Sequence, residues 1–307
     1  MIVFAAQPYF ERFAGFLADN EPDVAAGVFQ RTRFMNGEMC MSVRTGVTGQ
    51  DCLVIGSMAP PDNQALEFLM LADALKRAGA ATVWGCLPYL AYTRQDKSAP
   101  GRSGGIATVG ALCRAAGLDG LVTIDLHSEL AKHLAGLPLE SLTPFPDLFT
   151  EEITSLGWPD ITIAAPDSGA LPRNQELARS LGLPDKVVHA SQHYSSLSRP
   201  DFEGDIGSNV VLADDILDSG RTLVSACNVL RQRGARRIAI AVTHGLFAGS
   251  IWRELFGIGV TDLFVTDSCP QALQTEQPEV HVVSIKPLLA KLLQIVRKEA
   301  AHEPAYT

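Results

Sequence analysis

No stretch of this chain approaches the roughly 20 uninterrupted apolar residues of a membrane span. The start, Met1-Ile-Val-Phe-Ala-Ala-Gln-Pro8, has no basic flank and only a short apolar run, so neither an anchor nor an export signal is expected. A soluble, cytoplasmic protein is. A basic cluster is also missing: 25 Lys and Arg stand against 34 Asp and Glu, for a net charge of −9. That balance argues against a nucleic-acid surface, so any anionic ligand must be gripped by a few placed groups. The six cysteines (Cys40, Cys52, Cys86, Cys113, Cys227, Cys269) lie far apart and form no C-x-x-C pair. They read as reduced core thiols rather than a zinc site or a disulfide framework. Low-complexity tracts are absent, and 47% hydrophobic with 19% charged residues excludes disordered, collagenous and coiled-coil classes.

What is present is a chain of 307 residues, enough for two domains of about 150 residues each. Short Val- and Ile-rich runs alternate with helical periods, which predicts strand–helix repetition and a parallel sheet. In the first half strands are expected near 52–57, 82–87 and 120–126, with helices near 63–78 and 105–116 closed by Gly79 and Gly117. In the second half strands near 160–165, 186–190, 209–214, 237–243 and 262–266 interleave with helices near 170–181, 222–233 and 250–256. There Gly234 and Gly257 follow helix ends. The proline-rich stretch 137–146 is the candidate boundary, giving domains 1–143 and 144–307. The region 27–43 alternates on either side of Asn36-Gly37, a hairpin signal. Its tip reads either as simple chain reversal, the commoner use of a turn, or as a protruding clamp on a ligand.

The segment Asn209-Val-Val-Leu-Ala-Asp-Asp-Ile-Leu-Asp-Ser-Gly-Arg-Thr-Leu223 carries the most chemistry. An apolar strand runs into two carboxylates, a loop of small residues and a helix, at the sheet edge where ligands bind. Backbone N–H groups, the hydroxyls of Ser219 and Thr222 and the helix N-terminus suit a phosphate. Asp214 and Asp215 suit sugar hydroxyls, directly or through Mg²⁺. The plain alternative is a strand-to-helix turn capped by Asp218 or Ser219.

The string Asp-Asp-Ile-Leu-Asp-Ser-Gly-Arg-Thr resembles the phosphoribosyl-pyrophosphate loop of the phosphoribosyltransferase fold. Leu87-Pro-Tyr-Leu-Ala-Tyr-Thr-Arg-Gln-Asp-Lys97 is similar to the Pro-Tyr-x-x-Tyr-x-Arg-Gln-Asp signature of ribose-phosphate pyrophosphokinases. Thr123-Ile-Asp-Leu-His127, Phe34-Met-Asn-Gly-Glu38 and Ala165-Pro-Asp-Ser-Gly169 match further segments of that family, in the family's order. The resemblance implies an α/β chain of two tandem phosphoribosyltransferase-type domains, each a mainly parallel sheet flanked by helices. It implies an ATP-side first domain, a second domain holding ribose 5-phosphate, and an active site at their interface. By the same resemblance the hairpin is a clamp that completes a neighbouring subunit's ATP site, so a homo-oligomer, dimer or hexamer, is expected.

Carried over by position, Phe34, Asn36 and Glu38 would help hold adenine, Arg94 and Gln95 would bind ATP phosphates and base, and Asp96 would belong to the same ATP site. His127 would be a metal-linked contact to ATP, Asp167 a second metal-associated residue, and Mg²⁺ the cofactor. Asp214, Asp215, Asp218, Ser219, Gly220, Arg221 and Thr222 would bind ribose 5-phosphate. The implied reaction moves the pyrophosphoryl group of ATP to the anomeric hydroxyl, giving phosphoribosyl pyrophosphate and AMP. A plain phosphoribosyltransferase would leave the Arg94 and Phe34 segments unexplained.

One family feature is not matched. Where the family carries a lysine followed closely by an arginine, this chain reads His189-Ala-Ser-Gln-His-Tyr-Ser-Ser-Leu-Ser-Arg-Pro-Asp201, with Gln192 and Tyr194 near those positions. Arg199, assisted by His193, is one candidate for the substitute catalytic cation. A catalytically weak or regulatory paralogue that binds both ligands is another reading, and a reaction on a related phosphorylated sugar a third. A merely solvated loop is equally open.

Overall fold

The computed structural model describes residues 1–95, 100–190 and 202–301. The chain divides into two units: Met1–Leu142 together with the segment from Lys286 onward, and Thr143–Ile285.

The first unit contains β1 (Ile2–Ala5), α1 (Glu11–Asn20), β2 (Ala25–Ala26), β3 (Phe29–Arg33), β4 (Met39–Val43), β5 (Asp51–Ile55) and α2 (Asn63–Arg77). There follow β6 (Thr82–Leu87), α3 (Gly105–Ala115), β7 (Gly120–Ile124), α4 (Leu130–Ala135) and β8 (Leu139–Leu142). Six strands form one parallel sheet in the order β2-β1-β5-β6-β7-β8, while β3 and β4 pair antiparallel as a separate hairpin. Strands β5, β6 and β7 are buried almost throughout, which is why they read as continuous apolar runs rather than alternating ones. Phe4, Val54, Phe68, Leu71, Val83 and Leu121 belong to the core of this unit. Helix α2 stops at Gly79, at φ +87°, where the Gly79 and Ala80 amides bond back to the carbonyls of Lys76 (3.0 Å) and Leu75 (3.1 Å).

The second unit contains α5 (Thr150–Ser155), β9 (Ile161–Ala165), α6 (Leu171–Ser180), β10 (Val187–Ala190), β11 (Phe202–Glu203), β12 (Asn209–Leu217) and α7 (Arg221–Gln232). It continues through β13 (Arg237–Gly245), α8 (Glu254–Ile258), β14 (Val260–Thr266) and β15 (Val280–Val283). Its sheet runs β11-β10-β9-β12-β13-β14-β15 and is parallel except for the β10–β11 pair. Residue alternation sends Val210, Leu212, Ile238 and Ile240 into one core and Val211, Ala213, Ala239 and Ala241 into another on the opposite face.

The last helix, α9 (Lys286–Ala300), returns to the first unit. This corrects the expected assignment of residues 286–307 to the second domain. Leu288, Leu289, Leu292, Leu293 and Val296 form its buried face, Arg297 Nη1 lies 3.2 Å from Glu21 Oε2, and Lys286 stands over the Phe16 ring. The boundary between the units falls at 142/143, inside the stretch 137–146 and directly after β8. Two smaller expectations change: the helix expected near 250–256 is a 3₁₀ turn (Ile251–Arg253) followed by α8, and the left-handed residue ending α8 is Gly259 rather than Gly257. Among the described residues no helix is long and apolar enough to cross a membrane. Cys52, Cys86, Cys113, Cys227 and Cys269 are buried free thiols, and Cys40 is exposed.

Candidate active site

In the second unit the chemistry-bearing residues gather at the carboxyl edge of β9 and β12. Strand β12 is apolar as far as Ala213 and then presents Asp214 and Asp215, whose side chains are 14% and 6% exposed. Such a pair needs a counter-charge, and Arg173, in the first turn of α6, provides it. Its Nη1 lies 3.2 Å from Asp215 Oδ1 and 3.8 Å from Asp214 Oδ1. Asn174, fully buried, ties α6 to β12 by donating from Nδ2 to the carbonyl of Ala213 (2.9 Å). Asp167 closes the turn between β9 and α6, its Oδ1 accepting from the Ala170 amide at 2.9 Å. Burial, then the neighbouring charge of Asp215, pushes the Asp214 carboxyl well above its ordinary range. Arg173 pulls it down and Asp167 pushes it further up. The site carries an excess of negative charge.

The loop after β12 is shaped by what lies behind it. Gly220, the N-cap of α7, sits at φ +84°, and a Cβ there would lie 2.7 Å from Trp252 Cα and 3.1 Å from its nitrogen. The amides of Leu246 and Ala248 bond the carbonyls of Leu217 (2.8 Å) and Asp218 (3.0 Å), pinning the loop from below. Ser219 is half-buried, and Arg221 and Thr222 are exposed in the first turn of α7. The first amides of a helix have no acceptor within it, so this turn is a ready anion seat.

In the first unit the segments Leu87–Gln95 and Thr123–His127 meet. Thr123 Oγ1 donates to the carbonyl of Leu87 (2.7 Å) and the Ile124 amide to that of Pro88 (3.4 Å). The Asp125 amide reaches the carbonyl of Leu142 at 2.7 Å. Arg94, Gln95 and His127 are exposed at this edge. The hairpin turn is built as Asn36-Gly37 predicts, with Gly37 at φ +90° and the Phe34 amide bonded to the carbonyl of Glu38 (2.8 Å). Asn36 Oδ1 accepts from the Glu38 amide (3.1 Å), so this side chain is part of the turn, while Phe34 stands 52% exposed beside it. Arg31 and Arg33 hold the hairpin to α2 through buried Glu67, at 3.6 and 3.3 Å.

Asp96, His193 and Arg199, with Gln192 and Tyr194, lie outside the described residues. His189 is on β10, which pairs antiparallel with β11, His189 opposite Glu203 and Ala190 opposite Phe202. Among the described residues no three His, Cys, Asp or Glu side chains are grouped to enclose a metal by themselves. Arg173 and Glu67 were not legible as site-supporting residues in the sequence. The only signal for Arg173 was its place in the first turn of a helix that opens two residues after the Pro166-Asp167-Ser168-Gly169 turn.

Two mainly parallel sheets flanked by helices, the second ending in a carboxylate pair and a glycine-containing anion seat, define two phosphoribosyltransferase-type domains. Comparison with known proteins narrows the class. The family model for the N-terminal domain of ribose phosphate pyrophosphokinase matches residues 17–117, and the phosphoribosyl transferase domain matches residues 146–250. Ribose-phosphate pyrophosphokinase of Corynebacterium efficiens is 33% identical over 267 residues, covering 85% of this chain and 82% of that protein. The Campylobacter jejuni protein of the same name is 31% identical and is covered to 86%, as is this chain. The crystal structure of phosphoribosylpyrophosphate synthetase from Mycobacterium smegmatis matches with a TM-score of 0.85 and 31% identity, over 97% of this chain and 99% of that one. The chain belongs to the ribose-phosphate pyrophosphokinase family, and its enzyme class is that of the family.

Proposed function

We propose that this chain moves the pyrophosphoryl group of ATP, as one unit, to the anomeric hydroxyl of ribose 5-phosphate in a Mg²⁺-dependent reaction. The bond between that oxygen and the β-phosphorus forms as the bond from the β-phosphorus to the α-phosphate oxygen breaks. The hydroxyl proton is released and AMP leaves. The observation that carries this reading is the Asp214–Thr222 junction, where the paired carboxylates of β12 are followed directly by the helix-start anion seat of α7.

The 5-phosphate would rest on the first turn of α7, taking donors from the backbone, Ser219 and Thr222, with Arg221 beside it and Asp218 bounding the loop. Asp214 and Asp215 would accept hydrogen bonds from ribose hydroxyls, held in place by Arg173. Arg94 and Gln95, with Asp96, would bind the nucleotide, and Phe34, Asn36 and Glu38 of a neighbouring copy's hairpin would hold its adenine. The carboxylate oxygens of the second unit fit a hard divalent cation, which would offset the burial and the neighbouring Asp215 charge that together raise Asp214. Asp167 and His127 would contact Mg²⁺, which when bound neutralises and orients the triphosphate. The protein's own part is positioning and electrostatics rather than a covalent intermediate. Function in the cytoplasm as a homo-oligomer completes the proposal.

A second reading, a weak or regulatory paralogue that keeps both ligand sites, is favoured by one observation: residues 189–201 contain no lysine and a single arginine, Arg199. A missing cation at a transferring phosphoryl group removes transition-state stabilisation. Incubation with ATP, Mg²⁺ and ribose 5-phosphate decides between the two. The catalytic reading expects AMP in step with the sugar added. No sugar-dependent AMP at high protein concentration, with both ligands still bound, would leave the paralogue.

A further inference from the structure

The turn that carries Arg94 and Gln95 is held by a residue in an unfavourable backbone state. Tyr92 sits at φ +68°, in the left-handed region that a bulky side chain occupies only when its surroundings impose it. The surroundings are visible. The Tyr92 hydroxyl donates to Asp62 Oδ1 at 2.8 Å, and the Tyr92 carbonyl accepts from the Gln95 amide at 3.3 Å. Gly105, the first residue of α3, lies against the same turn: a Cβ there would be 2.9 Å from both Tyr92 O and Gln95 Oε1. Asp62 immediately precedes α2, and its carboxylate caps no amide of that helix. The hydrogen bond also holds the phenol above its ordinary pKa, as a donor to a carboxylate should be.

A strained turn needs a tether, and here the Tyr92 ring packs against the core of the first unit while its hydroxyl runs to an exposed carboxylate. The two residues presented beyond it are the exposed Arg94 and Gln95. We propose that Tyr92 and Asp62 form a positioning strap that fixes the turn presenting Arg94 and Gln95 to the nucleoside triphosphate. The strap rests on the reading above in which those two residues bind ATP. It acts on nucleotide affinity and leaves the sugar-phosphate site alone, since Asp214 to Thr222 belong to the other unit.

The test is equilibrium titration of the full chain with MgATP and, separately, with ribose 5-phosphate, which needs no turnover. Tyr92→Phe and Asp62→Ala should each weaken MgATP about three- to tenfold, the range of one exposed hydrogen bond. The double variant should be no weaker than either single one, because both remove the same bond. Asp62→Asn, which keeps an acceptor oxygen, should recover most of the loss, and ribose 5-phosphate affinity should not move. Unchanged MgATP binding in the single variants, multiplicative losses in the double, or an equal loss for the sugar phosphate would overturn the strap. Arg94→Ala separates a failure of the strap from a failure of the nucleotide site. If it weakens MgATP while Tyr92→Phe does not, the strap alone fails. If it leaves MgATP binding intact, the nucleotide reading fails and takes the strap with it.

Discussion

Replacing Arg173 by methionine removes the cation that two adjacent carboxylates share while keeping a chain of similar bulk. Arg173 is 12% exposed, and its Nη1 stands 3.2 Å from Asp215 and 3.8 Å from Asp214. Removing one partner of a buried ion pair costs about 3–5 kcal/mol, because the remaining charge is left uncompensated. Here the carboxylates have an escape: they can take up a proton, so the loss must depend on pH. In the folded chain Asp214 already titrates above its ordinary value of 3.8, chiefly through burial and then through Asp215, with Arg173 opposing both. A carboxyl raised in the folded state binds protons more tightly there than in the unfolded chain, so it subtracts stability as pH rises from its unfolded pKa through its folded one. Losing Arg173 moves the folded pKa up and extends that range. The difference between wild type and Arg173→Met should therefore be small near pH 4, grow with pH and reach about 3 kcal/mol by pH 8. Urea unfolding in EDTA at a series of pH values, followed by a signal from the second unit, measures it. A deficit that is constant across pH, or absent, would refute the account of this carboxylate pair.

Other consequences are equally concrete. Gly220→Ala forces a side chain into the left-handed region, about 1–2 kcal/mol, and against the Trp252 backbone at 2.7 Å. It should lower the stability of the second unit and weaken ribose 5-phosphate at least tenfold, and normal affinity for that ligand would contradict the placement of the anion seat. Thiol labelling at pH 8 should modify Cys40 alone in the native protein, since burial pushes Cys52 to about 11 and Cys86, Cys113, Cys227 and Cys269 to about 12. Cys40→Ser should abolish the fast phase, and rapid labelling of further thiols would contradict the buried assignments. Glu67→Gln should release the hairpin from Arg31 and Arg33, seen as faster proteolysis between Phe29 and Val43 with the core left folded.

How much of this was readable from the sequence differs by element. Strands such as Thr82–Leu87 and Gly120–Ile124 were legible because a buried parallel strand is one unbroken apolar run. The helix ends at Gly79, Gly117 and Gly234 were legible because each sits at a positive φ that glycine alone takes without strain. The Asp214–Thr222 junction showed itself because carboxylates at the end of so apolar a strand have no structural use. Arg173 did not, because its role depends on α6 lying beside β12, a contact made through Asn174 between residues 39 positions apart. The same holds for Tyr92, whose backbone angle no residue type announces, and for α9, whose amphipathic face does not name the unit it packs on and whose partners Glu21, Asp23 and Phe16 lie far back in the chain.

The central claim is that both terminal phosphates of ATP move together to the sugar. Incubating the protein with ribose 5-phosphate, Mg²⁺ and ATP labelled separately at the β and γ positions tests it directly. The account predicts both labels in phosphoribosyl pyrophosphate in equal amount, with AMP as the nucleotide product. ADP as the product, or γ label alone in the sugar, would contradict it.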